Sequence, residues 1–267
     1  MNMTFELFAI AVAVSFLLGC VGLLAYGRRL GQRHIGQAGM GAMAGLDAVE
    51  GAVFALLGLL LAFAISGALQ RFDERRQLIV QEGIAIGTAY DHLDLLPPGP
   101  RDALKGKLKE YLEARIELFR QPIDFDFEHE RAVYSGGQEA KIAALNAELW
   151  SGTLSACPSA SYVSTCSLLL PVIAHVFETA QLRRGANEKH PPKIVFGMLY
   201  GFGLVGSLLA GFSMATSKAP SRVHLFAFAL ALSFALFVLT NVEFPRLGLI
   251  RVDFFDHFLT DVEAKMR

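Results

Sequence analysis

Cysteine is scarce, with three residues in 267. That number excludes a disulfide-built scaffold, and the thiols of Cys20, Cys157 and Cys166 are all expected to be free. Charge is scarce too: 18% of residues are charged and the formal net charge is −1. No global field therefore points toward nucleic acid or an acidic substrate. No alternating strand pattern of any length is present, which argues against a sheet protein. Activated-nucleophile arrangements, metalloprotease motifs and phosphate loops are equally missing, so neither an enzyme, a cofactor nor a metal is expected. Apolar residues, in contrast, are in excess. They make up 53% of the chain, with 21 phenylalanines, more than one soluble core of this length needs.

A bilayer-crossing helix needs roughly 20 apolar residues, and the stretches Phe5 to Tyr26, Val49 to Leu69, Ile194 to Ala215 and Val223 to Val242 qualify. FLLGC, ending at Cys20, has the look of a lipoprotein cleavage site. MNMTFE before it carries no Lys or Arg, however, and the apolar run continues through VGLLAY, so an uncleaved first span is expected. Between the second and third spans, Gln70 to Lys193 holds most of the charge and reads as a helical domain. RDALKGKLKEYLEARIELFR places Leu104, Leu108, Leu112, Ile116 and Phe119 at helical spacing, and GGQEAKIAALNAELW does the same with Ile142, Leu145 and Leu149. Pro97, Pro98 and Pro100 break the chain before the first of these, and 157–161 is a polar loop. A last helix runs from about Tyr162 to Arg184 and stops before His190, Pro191 and Pro192. The segment LLLPVIAHVF, 168–177, is too short and too interrupted for a fifth span and belongs to that helix. The fold class is all-α, with four spans (1–69 and 194–244), a helical domain (70–193) and a C-terminal tail (245–267).

The junction after the second span is the most informative stretch. Counting in sevens sets Phe72, Ile79, Ile86 and Leu93 on one line and Arg75, Glu82, Ala89 and Leu96 on the next. The membrane thus ends near Gln70 while the helix continues, as one rod from about Asp47 to Asp94 coupling the span to the domain. Inside the bilayer the rod carries a face of small residues, Gly51, Ala55, Gly58, Ala62 and Ser66. Such a face serves close helix packing, or it lines an aqueous path with Glu50 at one mouth and Gln70, Arg71 and Asp73 at the other. Arg75 and Glu82, polar on an apolar stripe, need partners, and Glu178, Arg183 and Arg184 of the last helix are the expected ones.

Three further patterns are read as structural. GFGLVG, 201–206, mimics a dinucleotide turn but follows no strand; Gly197 with Gly201, and Gly206 with Ala210, are read instead as packing notches. His175 and Glu178 are expected in a buried polar network rather than on a metal. DFDFEHE, 124–130, is read as a solvated loop.

The segments EGAVFALLGLLLAF (50–63), RFDERRQLIVQEGIAIGTAYDHLDLLP (71–97), RRGANEKHPP (183–192) and EFPRLGLIRVD (243–253) resemble the bacterial bestrophin-like membrane proteins. The resemblance runs from Arg33 onward, and the junction is its most specific part. The family's acidic, acidic, Arg-Pro pattern after the last span is replaced here by Asn241, Glu243, Phe244 and Pro245. The resemblance implies a homo-oligomer, pentameric as in bestrophins, whose second span lines an ion path continued by helices of the domain. Arg71, Arg75 and Arg76, repeated around a ring, then lean the mouth toward anions. The competing reading is a non-conducting scaffold or signalling protein. The expected partners are the lipid bilayer, symmetry mates and inorganic ions. Arg71, Arg75, Arg76, Arg183, Arg184, Lys189, Lys193, Arg246 and Arg251 outnumber Arg28, Arg29, Arg33, Lys218 and Arg222 on the other side. That bias places both termini in the cytoplasm of a bacterial inner membrane.

Overall fold

A computed structural model describes residues 3–38, 46–121, 123–126, 131–134, 137–157, 163–216, 222–245, 247, 249–250 and 253–266. Helices dominate: α1 (Met3–Ala38), α2 (Leu46–His92), α3 (Pro98–Arg120), α4 (Gln138–Ser155), α5 (Val163–Glu188), α6 (Lys193–Ser213), α7 (Arg222–Glu243) and α8 (His257–Lys265). Four of the helical stretches are long and apolar enough to cross a membrane, and the chain is an all-α integral membrane protein. Among the described residues the strands form one antiparallel hairpin, β1 (Ile123–Asp126) with β2 (Arg131–Tyr134). Part of the expected DFDFEHE loop is therefore strand, and 127–130 lie outside the described residues. So do 158–161 of the polar loop, and Lys218, Arg246 and Arg251.

The chain divides into two compact units, one of residues 71–189 and 245–267 and one of residues 3–70 and 190–244. In the first, the apolar lines read from the sequence form the core. Ile79, Ile86, Leu93 and Leu96 are buried, as are Leu104, Leu108, Leu112 and Ile116 of α3 and Ile142, Leu145 and Leu149 of α4. Pro98 starts α3 where a missing N–H costs nothing. Gly137, at φ 68°, opens α4 in a left-handed turn that suits a residue without Cβ. Leu169, Ile173 and Val176 of α5 are buried in the same core, and the helix passes through Pro171 to Glu188, one turn beyond the expected end. The tail returns as α8, with Leu259 fully buried and the Tyr90 hydroxyl donating to the Met266 carbonyl at 3.1 Å.

Cys157 and Cys166 are joined by a disulfide, which corrects the expectation of free thiols. The two helices α4 and α5 bring the end of one beside the start of the other, so two cysteines suffice for a staple although they cannot form a framework. Cys20 remains a free, buried thiol.

In the second unit α1 packs against α6 and α7. The approach is close because Gly27 and Gly31 of α1 and Gly211 of α6 leave no room for a Cβ against the neighbouring backbone. Gly203 packs on Phe16 and Gly206 on Phe54, whereas Gly197 and Gly201 face open space. The notch expected at the latter pair is thus displaced by a fraction of a turn. GFGLVG lies wholly within α6, with no strand before it.

Candidate functional site

Helix α2 carries the candidate residues on two faces. Within the second unit, Leu57 and Ala68 are buried and the Phe54 ring meets Phe228 edge-on at 5.4 Å, while Val49, Leu56, Leu59, Phe63 and Leu69 are exposed. The small residues are exposed as well. Gly51, Ala55, Gly58, Ala62, Ser66 and Gln70 are all exposed, and a Cβ placed on Gly51 or Gly58 would meet nothing within 4 Å. Glu50 at the start of this face is half-buried. Small side chains usually sit where helices touch. Here the chain leaves its small face without a partner helix of its own among the described residues.

Beyond Gln70 the exposed line continues as Asp73, Gln77, Gln81, Ile84, Thr88 and Asp91. The charged residues beside it are drawn into the first unit. Arg75 is buried and donates to the carbonyls of Ala186 (3.1 Å) and Lys189 (2.8 Å), accepting the role of a cap for the end of α5. Arg76 pairs with Asp73 at 3.0 Å and lies over the Phe255 ring at 4.2 Å. Glu74 pairs with Lys189 at 2.9 Å. Arg71 is half-buried.

A buried polar clamp holds Glu82, which has no exposed surface. Arg115 Nε of α3 donates to its Oε1 at 2.6 Å, and Arg183 Nη1 of α5 to its Oε2 at 2.7 Å. Arg183 also donates to Asp256 Oδ1 at 2.6 Å, just before α8, and its guanidinium stacks over Phe119 at 3.5 Å. Burial pushes the Glu82 carboxyl toward its neutral form, but the two guanidinium charges and their hydrogen bonds outweigh it and hold the group below its usual range. Each charge in this network is thus compensated by at least one of opposite sign.

Sequence reasoning located Glu82 and its partner Arg183. It missed Arg115 and Asp256, which lie on a helix and a tail with no period linking them to α2. Two expected partners do not join. Glu178 is exposed and meets His175 at 3.2 Å, so that pair is a surface contact and not part of a buried network. Arg184 is likewise exposed and pairs with Glu188 at 3.3 Å. Glu243 is buried, with His190 Nδ1 3.3 Å away and the His190 ring stacked on Phe244 at 4.4 Å. No group of three or more metal-ligating side chains occurs among the described residues.

A four-span helical chain, a second-span helix running on into a helical domain, and a family model that matches residues 13–253 as a Bestrophin-like domain all agree. The chain belongs to the bestrophin-like family. No curated protein and no solved structure matches it. The bestrophin-like assignment covers α2, the Glu82 clamp and most of the chain.

Proposed function

We propose that this bestrophin-like protein is a homo-oligomeric ion channel whose second span lines the path and whose domain continues it. The observation that carries the reading is the unpartnered small face of α2, Gly51 to Ser66, with polar Gln70, Asp73, Gln77 and Gln81 following on the same exposed line. A small face turned to lipid gains little packing, whereas around a symmetry axis it leaves room for water and ions. Five copies, by likeness to bestrophins, would surround the axis.

Selectivity depends on which charges face that path. Of the three arginines that lean the mouth toward anions, Arg75 is buried and Arg76 is paired with Asp73. We place the protein in a bacterial inner membrane with cytoplasmic termini, from the Lys and Arg bias.

The test is ion flux in liposomes, with chloride and potassium gradients compared and Ser66→Trp as the control. Flux that the tryptophan abolishes, with oligomer size unchanged, supports the second-span path. A folded oligomer that conducts neither ion overturns the channel reading in favour of a scaffold or signalling role for the helical domain.

A further inference from the structure

Helices α3, α4 and α5 line an open cavity of about 360 Å³ within the first unit. That is a size at which small-molecule sites begin. Its walls are mixed: Leu118 and Phe119 from α3, Ile142 and Ala143 from α4, and Phe177 and Ala180 from α5 supply apolar surface beside the polar Gln181 and Asn187 of α5. Its charges balance, with Arg115 and Arg184 against Glu139 and Glu188. At the rim, exposed Arg184 pairs with Glu139 at 3.9 Å and with Glu188 at 3.3 Å, and Arg115 supplies the second positive charge of the set. An ion entering the cavity would gain no net attraction from such a set. Half-buried among the lining residues is Asn146, whose Oδ1 is shielded from solvent and has no hydrogen-bond partner among the described residues. Buried polar atoms are nearly always satisfied, so this acceptor is suited to a donor brought from outside.

We propose that this cavity binds a small, uncharged aromatic molecule carrying an N–H or O–H donor, and that the Glu82 clamp senses its presence. The two half-buried phenylalanines offer flat apolar surface, and Asn146 supplies the polar contact that orients the ring. Phe119 is also the ring over which Arg183 stacks at 3.5 Å and Arg115 at 5.1 Å. Arg115 lines the cavity and bonds Glu82 of α2 at 2.6 Å. A ligand against Phe119 and Arg115 therefore presses on two of the groups that position α2. Binding stands by itself; its effect on flux rests on the channel reading.

The probe is indole, titrated calorimetrically into the purified full-length protein, with 1-methylindole, which lacks the N–H, as its partner. Saturable indole binding is expected, weakened about tenfold by methylation or by Asn146→Leu, the loss of one buried hydrogen bond. Ala143→Phe fills the cavity from an exposed position and should abolish binding with the melting temperature unchanged. Indole that fails to bind saturably in the millimolar range, or binds the Ala143→Phe variant equally, overturns the site. Equal binding of the two indoles overturns the role of Asn146. In liposomes, indole should change flux through the wild type and leave the Ala143→Phe variant unaffected. Cavity-specific binding to a protein that conducts nothing supports the site while the channel reading fails. Flux without indole binding overturns the site and leaves the channel reading standing.

Discussion

Glu82 sits where a carboxylate has the most to lose from isolation, with no solvent and two guanidinium groups in hydrogen-bond contact. Removing its charge would leave Arg115 and Arg183 facing a neutral amide in the interior, so Glu82→Gln should destabilise the domain by about 3–5 kcal/mol. A lowered apparent melting temperature of the purified protein checks this. The pH dependence follows from the same contacts. Because the folded pKa lies below the unfolded one, the stabilisation is present above the ordinary carboxylate value. It is lost as pH falls through the folded value. Wild-type protein should lose stability on acidification below about pH 4.3, and Glu82→Gln should show a shallower acid limb. Parallel acid limbs in the two proteins would show that Glu82 does not carry the dependence. Nearby, the Tyr111 hydroxyl is fully buried with no hydrogen-bond partner among the described residues, and burial pushes its pKa up, so it stays a neutral phenol beside the clamp.

Helix α2 runs 47 residues without interruption, which is what its sequence predicts at the membrane junction. Its period was legible because the apolar lines change face chemistry without changing spacing: lipid-compatible before Gln70, core-forming after it. The Cys157–Cys166 staple was not legible, since nine residues of separation are compatible with a free pair unless the helices on either side converge. Closing so short a loop constrains the unfolded chain, and Cys157→Ser is expected to cost about 2–3 kcal/mol. Thermal unfolding of the variant against the oxidised wild type measures it. Full reduction of the wild type should reproduce the variant's loss, and an unchanged melting temperature in both would rule out a stabilising bond.

On the scale of the whole molecule, two signals bear on orientation. The excess of Lys and Arg beside the helical domain favours the cytoplasm, whereas disulfides persist mainly in oxidising compartments. We expect trypsin to cut the domain in inverted membrane vesicles and to spare it in right-side-out ones. The opposite pattern would place the domain and its disulfide outside. The four spans, the all-α class, the rod and the family were all determined by the sequence alone, because hydropathy and helical period are properties of residues close together along the chain. The tertiary structure decided which helix faces remain open, that Arg115 and Asp256 meet at Glu82 and Arg183, that two cysteines bond and that a cavity forms between α3, α4 and α5. Those features join residues 9 to 101 positions apart, and only the packing of whole helices against one another brings such residues within reach.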